Sequence, residues 1–236
     1  MMTTRNPHEV SAPSLPDDSR RILPLIGNDT VKLCVDARGA MHDFEALPSY
    51  PPPRIIMTGR RHNIRIDRYS SNLFEWGFLD LKLKGEGLLP KVTGWKQRLC
   101  PRQGLVETEI LRGSVEERNA SFVHLEKNLI VFHREYRNLP KSRRWTMQAD
   151  YCFCQAETKK IPFRTTFGPF LKDSFGVEAA ATADGIVMYS GRIALFASRS
   201  CKASWKANHL LLDVPLSDEG SATVYLSLLD DLGNEP

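Results

Sequence analysis

Cleaving or transferring a glycosidic bond needs two carboxyl groups at a set separation, one as acid and one as base or nucleophile. Glu107 and Glu109 share one face of a predicted strand and lie about 7 Å apart at the rise of a β-strand. Any alternating strand with an outward acidic face gives that spacing, so the pair is read as structural. Glu116 and Glu117 are adjacent and point to opposite faces. No catalytic residue is assigned.

The histidines are His8, His42, His62, His124, His133 and His209. None sits in an H-E-x-x-H motif or beside a nucleophile motif. His124 and His133 fall in consecutive predicted strands and could approach across a hairpin. With a carboxylate they would form the acid–base pair of a mutarotase-type sugar isomerase. Cys34, Cys100, Cys152, Cys154 and Cys201 are odd in number and irregularly spaced, unlike a disulfide scaffold. Cys152 and Cys154 are two apart on one face, but no second pair completes a metal site. Buried thiols are expected, with no metal and no cofactor. Gly85-x-Gly87 has no following helix to aim amides at a phosphate and reads as a turn.

Tryptophan is the better ligand candidate. A pyranose packs its C–H face on an aromatic ring while its hydroxyls seek polar neighbours. Trp76, Trp95, Trp145 and Trp205 are the candidate carbohydrate-binding residues. The competing reading for each is burial, because large aromatics dominate β cores.

These side chains sit in short alternating segments. Val31, Leu33 and Val35 alternate with Lys32, Cys34 and Asp36, the mark of a half-buried strand. Gly39 supplies the turn, and Ala40–Phe44 returns as the second arm of a hairpin. Pro51-Pro52-Pro53 is an extended connection. Asn63–Asp67, Leu73–Leu83, Val92–Cys100, Gly104–Leu111, Val115–Leu125, Leu129–Arg137 and Arg144–Cys154 read as strands. Lys159–Gly176 is irregular. Strands resume at Ile186–Ser190, Ile193–Ser200, His209–Val214 and Ala222–Leu229. In Leu129–Arg137, Ile130, Phe132, Arg134 and Tyr136 share one face. About ten to twelve strands at roughly ten-residue spacing indicate a sandwich or barrel.

Residues 1–20 are polar and proline-bearing and read as a disordered tail; residues 21–236 form one domain. The tail lacks the apolar stretch of a secretory signal, and no run of about 18 apolar residues spans a membrane, so the cytoplasm is the expected compartment. Arg137, Lys141, Arg143 and Arg144 cluster in a loop with Trp145 alone beside them. A single-strand nucleic-acid surface needs a platform of stacking aromatics, so nucleic acid is not an expected partner.

Gln97-Arg98-Leu99 is followed by Arg102-Gln103-Gly104-Leu105-Val106, a turn at Gly113, Glu117-Arg118-Asn119-Ala120-Ser121-Phe122 and the apolar strand Asn128–Tyr136. Gly27-Asn28-Asp29 precedes the first strand, with Gly39 in its turn. This order resembles the N-terminal β-sandwich of clan-L, six-hairpin glycoside hydrolases and phosphorylases, the group of maltose and kojibiose phosphorylases. The resemblance implies an all-β fold: a large antiparallel supersandwich like that of galactose mutarotases. In that family the acid and base lie in a downstream helical barrel, which this chain lacks, so no catalytic residue is carried over. What it implies is a non-catalytic sandwich that supports a carbohydrate-active barrel as partner and exposes an apolar docking patch. A free-standing carbohydrate-binding module and a mutarotase-like isomerase are the alternatives.

Overall fold

The computed structural model describes residues 8–18, 22–28, 31–46, 55–58, 73–157, 187–189, 193–206 and 209–228. In chain order the strands begin with β1 (Glu9–Ala12), β2 (Leu25–Gly27), β3 (Val31–Val35), β4 (Met41–Ala46), β5 (Ile55–Thr58) and β6 (Leu73–Leu83). They continue with β7 (Gly94–Cys100), β8 (Leu105–Arg112), β9 (Val115–Val123), β10 (Leu129–Arg137) and β11 (Thr146–Glu157). The last five are β12 (Val187–Tyr189), β13 (Ile193–Ala197), β14 (Lys202–Lys206), β15 (His209–Pro215) and β16 (Ser221–Leu228). The strand readings at Asn63–Asp67, the triple proline and the irregular stretch Lys159–Gly176 lie outside the described residues.

The expected all-β architecture is present. One sheet has eight strands in the order β1-β7-β8-β9-β10-β16-β13-β12. Two four-stranded sheets, β14-β15-β11-β6 and β2-β3-β4-β5, lie side by side through β6 and β5 and face it. All pairings are antiparallel. Alternation places Val106, Ile130, Phe132, Val224 and Leu226 on the inner face of the large sheet. Val31, Leu33 and Val35 meet them from one small sheet, and Leu81, Met147, Tyr151 and Leu212 from the other.

Within the segment read as a tail, residues 8–18 are more ordered than their composition predicts. Glu9–Ala12 pairs along β7, with Glu9 opposite Arg98 and Ala12 opposite Trp95. Backbone pairing to an open edge needs no apolar alternation, so composition gives little sign of such a strand. Ala12 and Leu15 also pack on the Trp95, Ala37 and Ile110 cluster.

Candidate functional site

The densest set of buried polar groups surrounds the turn Asp36–Ala40 between β3 and β4. The turn is built by Asp36, whose side-chain oxygen accepts the backbone N–H of Arg38 (2.8 Å) and of Ala40 (2.7 Å). Gly39 takes φ +71°, the left-handed region that glycine enters without a Cβ penalty. Asp18 accepts the Ala37 N–H at 2.9 Å, so the amino-terminal arm also braces the turn.

Four consecutive carbonyls of this turn each receive a side-chain donor from the large sheet. Gln97 Nε2 donates to Asp36 O at 2.8 Å and Trp95 Nε1 to Ala37 O at 2.6 Å. Asn119 Nδ2 donates to Arg38 O at 2.8 Å. Ser121 Oγ and Arg134 Nη2 both donate to Gly39 O, at 2.5 and 2.7 Å. Register explains the convergence. Gln97 pairs with Thr108, Thr108 with Asn119 and Asn119 with Arg134, so one polar row crosses β7, β8, β9 and β10 beneath the turn. Gln97 Nε2 also reaches Thr108 Oγ1 at 2.9 Å.

Next to this row stand Glu117, Tyr136, Arg38 and Glu86. Glu117 accepts a bond from Asn119 Nδ2 at 2.8 Å, and Arg38 pairs with Glu86 at 2.9 Å. Burial pushes the Asp36 carboxyl above its usual value, against the pull of the Ala40 and Arg38 amides. Burial likewise raises Glu117, opposed by the Asn119 bond and by Arg134. It lowers Arg134, against Tyr136, Glu117 and Asp36. Tyr136 is held well above the ordinary phenol range by burial and then by Glu117. Most of these polar groups are engaged with backbone or with one another, so the arrangement holds a turn.

Trp95 is 3% exposed, with its N–H taken by Ala37 O. Trp145 is 8% exposed. Its N–H donates to Pro140 O at 2.9 Å and the Arg143 guanidinium lies 4.1 Å from its ring centre. Trp76 stands opposite Cys154 in β6 and Trp205 opposite Leu210 in β14; their side chains lie outside the described residues. Neither described ring offers a face to a sugar.

His124 and His133 are not brought together. The His124 amide meets Leu129 O, whereas His133 pairs with Ala120, four residues or about 13 Å along the strand. His133 Nδ1 contacts Thr223 Oγ1 at 2.9 Å and His124 Nδ1 accepts the Glu126 N–H at 3.1 Å, so neither bonds a carboxylate. Glu107 pairs with Arg98 across β7 and β8. Among the described residues no group of His, Cys, Asp and Glu could hold a metal, and no helix is long and apolar enough to cross a membrane.

The outer face of the large sheet divides in two. Registered neighbours Phe196, Tyr225, Val131, Phe122 and Leu105 form an apolar row across β13, β16, β10, β9 and β8. Phe196 and Tyr225 stack with centroids 4.9 Å apart. Below it run acid–base pairs, Arg98 with Glu107, Arg137 with Glu135 and Lys96 with Glu9.

No protein-family model and no curated protein matches the sequence. The residues of the turn clamp were visible singly: Gln97, Thr108, Asn119 and Arg134 are polar residues in phase with apolar ones. Their alignment into one row depends on register, and their target is a turn about sixty to ninety-five residues earlier in the chain.

Proposed function

We propose that this chain is a non-catalytic sandwich domain of a carbohydrate-active system of the glycoside hydrolase or phosphorylase type. It supports a helical catalytic partner. The observation that carries this reading is the use made of the residues behind the family resemblance. Gln97, Asn119, Ser121 and Gly39 all belong to the clamp on the Asp36 turn. Side chains taken up in fixing the fold mark a scaffold, and they leave the acid and base to another polypeptide region. The half-buried Phe196, Tyr225 and Phe122 on the outer face give the partner apolar surface to dock on.

A turnover and binding panel on one sample tests this. The reading predicts no hydrolysis or phosphorolysis of any neutral oligosaccharide by this chain and no retention of them in affinity electrophoresis. Turnover by this chain alone contradicts it, and retention of oligosaccharides without turnover favours a carbohydrate-binding module instead.

A further inference from the structure

Among the described residues, one buried side-chain atom in the clamp has no partner: Oδ1 of Asn119. Asn119 is 2% exposed. Both hydrogens of its amide nitrogen face acceptors, Arg38 O and Glu117 Oε1, each at 2.8 Å. The amide therefore cannot be flipped to give Oδ1 a donor without losing two bonds. A buried acceptor left without a donor is unfavourable, and the carboxyl already bonded to the same amide can supply one when protonated.

The charges around it point the same way. Glu117 is faced by Arg112 from β8, by Arg134 and Tyr136 from β10 and by Glu86 from the turn after β6. Arg38 and Asp36 lie beyond in the clamped turn, and Asp80 approaches from β6. Five carboxyls, Asp18, Asp36, Asp80, Glu86 and Glu117, thus share this region with three guanidiniums, Arg38, Arg112 and Arg134, an excess of negative charge that favours protonation of a carboxyl. Asp36 is the poorer place for that proton, because its oxygen accepts two backbone N–H bonds that favour the ionised form. Glu86 is paired with Arg38. Glu117 has one amide donor and an empty acceptor beside it.

We propose that Glu117 is held as a neutral carboxylic acid, its Oε2–H donating to Asn119 Oδ1 while its Oε1 accepts the Asn119 Nδ2–H. This cyclic acid–amide pair fixes the amide that grips Arg38 O. Burial raises the Glu117 carboxyl in the required direction. Loss of the proton sets a carboxylate against a carbonyl oxygen with no hydrogen between them. The pair then opens and the hold on the turn weakens, so the clamp is a pH-sensitive latch that loosens as pH rises.

The test is carboxyl-carbon NMR of the full chain, labelled with 13C at glutamate or aspartate carboxyls, at pH 6. That is well above the ordinary glutamate value of about 4.3. One protonated glutamate signal is expected, and it should vanish in Glu117→Gln. That variant keeps an N–H donor toward Asn119, so it should unfold at the wild-type temperature at pH 6 and lose less stability than wild type on moving to pH 8. Three results overturn the proposal: all glutamates ionised at pH 6, a protonated aspartate signal instead, or a Glu117→Gln protein that unfolds well below wild type.

Discussion

Arg134 carries a full positive charge into a sheet face where 1% of its surface remains exposed. Its hydrogen bonds go to the carbonyls of Gly39 and His133, and its charge is answered across space by Asp36 and Asp80. Removing one member of a buried charge set leaves the others uncompensated. Arg134→Met should lower stability by about 3 kcal/mol, seen as a lower denaturant midpoint at unchanged slope; a loss below about 1 kcal/mol would show that the charge contributes little. The pH response follows from opposing shifts. Burial lowers His133, so its contribution to stability is present above the unfolded value of about 6.5 and is lost as pH falls through it toward the folded value. Asp36 and Glu117 are raised, so the fold favours their protonated forms and gains stability as pH falls through their folded values toward the unfolded ones near 4. His133→Gln removes the first effect alone. Denaturant unfolding at pH 7, 6 and 5 should show the variant losing less stability than wild type, or gaining more, over that range. An unchanged profile would mean that His133 is not desolvated in the fold.

The turn between β3 and β4 is the element on which the polar row acts, and Gly39 is its narrowest point. A Cβ at Gly39 would lie 3.0 Å from Asn119 Cβ and from Thr108 Oγ1, on backbone at φ +71°. Gly104 has a similar φ of +60° with nothing within 4 Å of a Cβ. Gly39→Ala should therefore cost about 2–4 kcal/mol by thermal or denaturant unfolding and Gly104→Ala about 1 kcal/mol. Equal losses would show that the clamp has room to give. Elements of this kind differ in how well a sequence announces them. β10 was readable at Leu129–Arg137 with the bounds the structure has, because nine residues of alternation outweigh local ambiguity. β3 and its Gly39 turn were equally plain. β1, β2 and β14 have three to five residues each, and their pairing is set by a neighbour rather than by their own pattern. The site was half legible. The alternation put Arg134 on one face with Ile130 and Phe132, but a slip of one residue in register would dissolve the row. Trp95 offered no sign of which way it would go, since burial and sugar stacking call for the same ring.

Among the described residues, two layers of eight strands pack on a shared core, and the clamp ties the β3–β4 hairpin of one layer to three strands of the other. The two faces of the large sheet are unevenly buried. Phe132 points into the core at 0% exposure, whereas Phe122 on β9 is half-buried on the outer row. Phe132→Ala should cost about 3–5 kcal/mol and Phe122→Ala less than half of that, by denaturant unfolding. A Phe122 loss as large as that of Phe132 would mean that the outer row is core rather than docking surface. The claim beneath the whole account is that the Asp36 turn is locked into the sandwich and is not an open loop awaiting a ligand. Native-state amide hydrogen exchange at Arg38, Gly39 and Ala40 tests it most directly, because each N–H has an internal acceptor. The account predicts that these amides exchange only by global unfolding, with the same free energy as the central amides of β9 and β10. Exchange at markedly lower free energy, as in a loop that opens by itself, would contradict it.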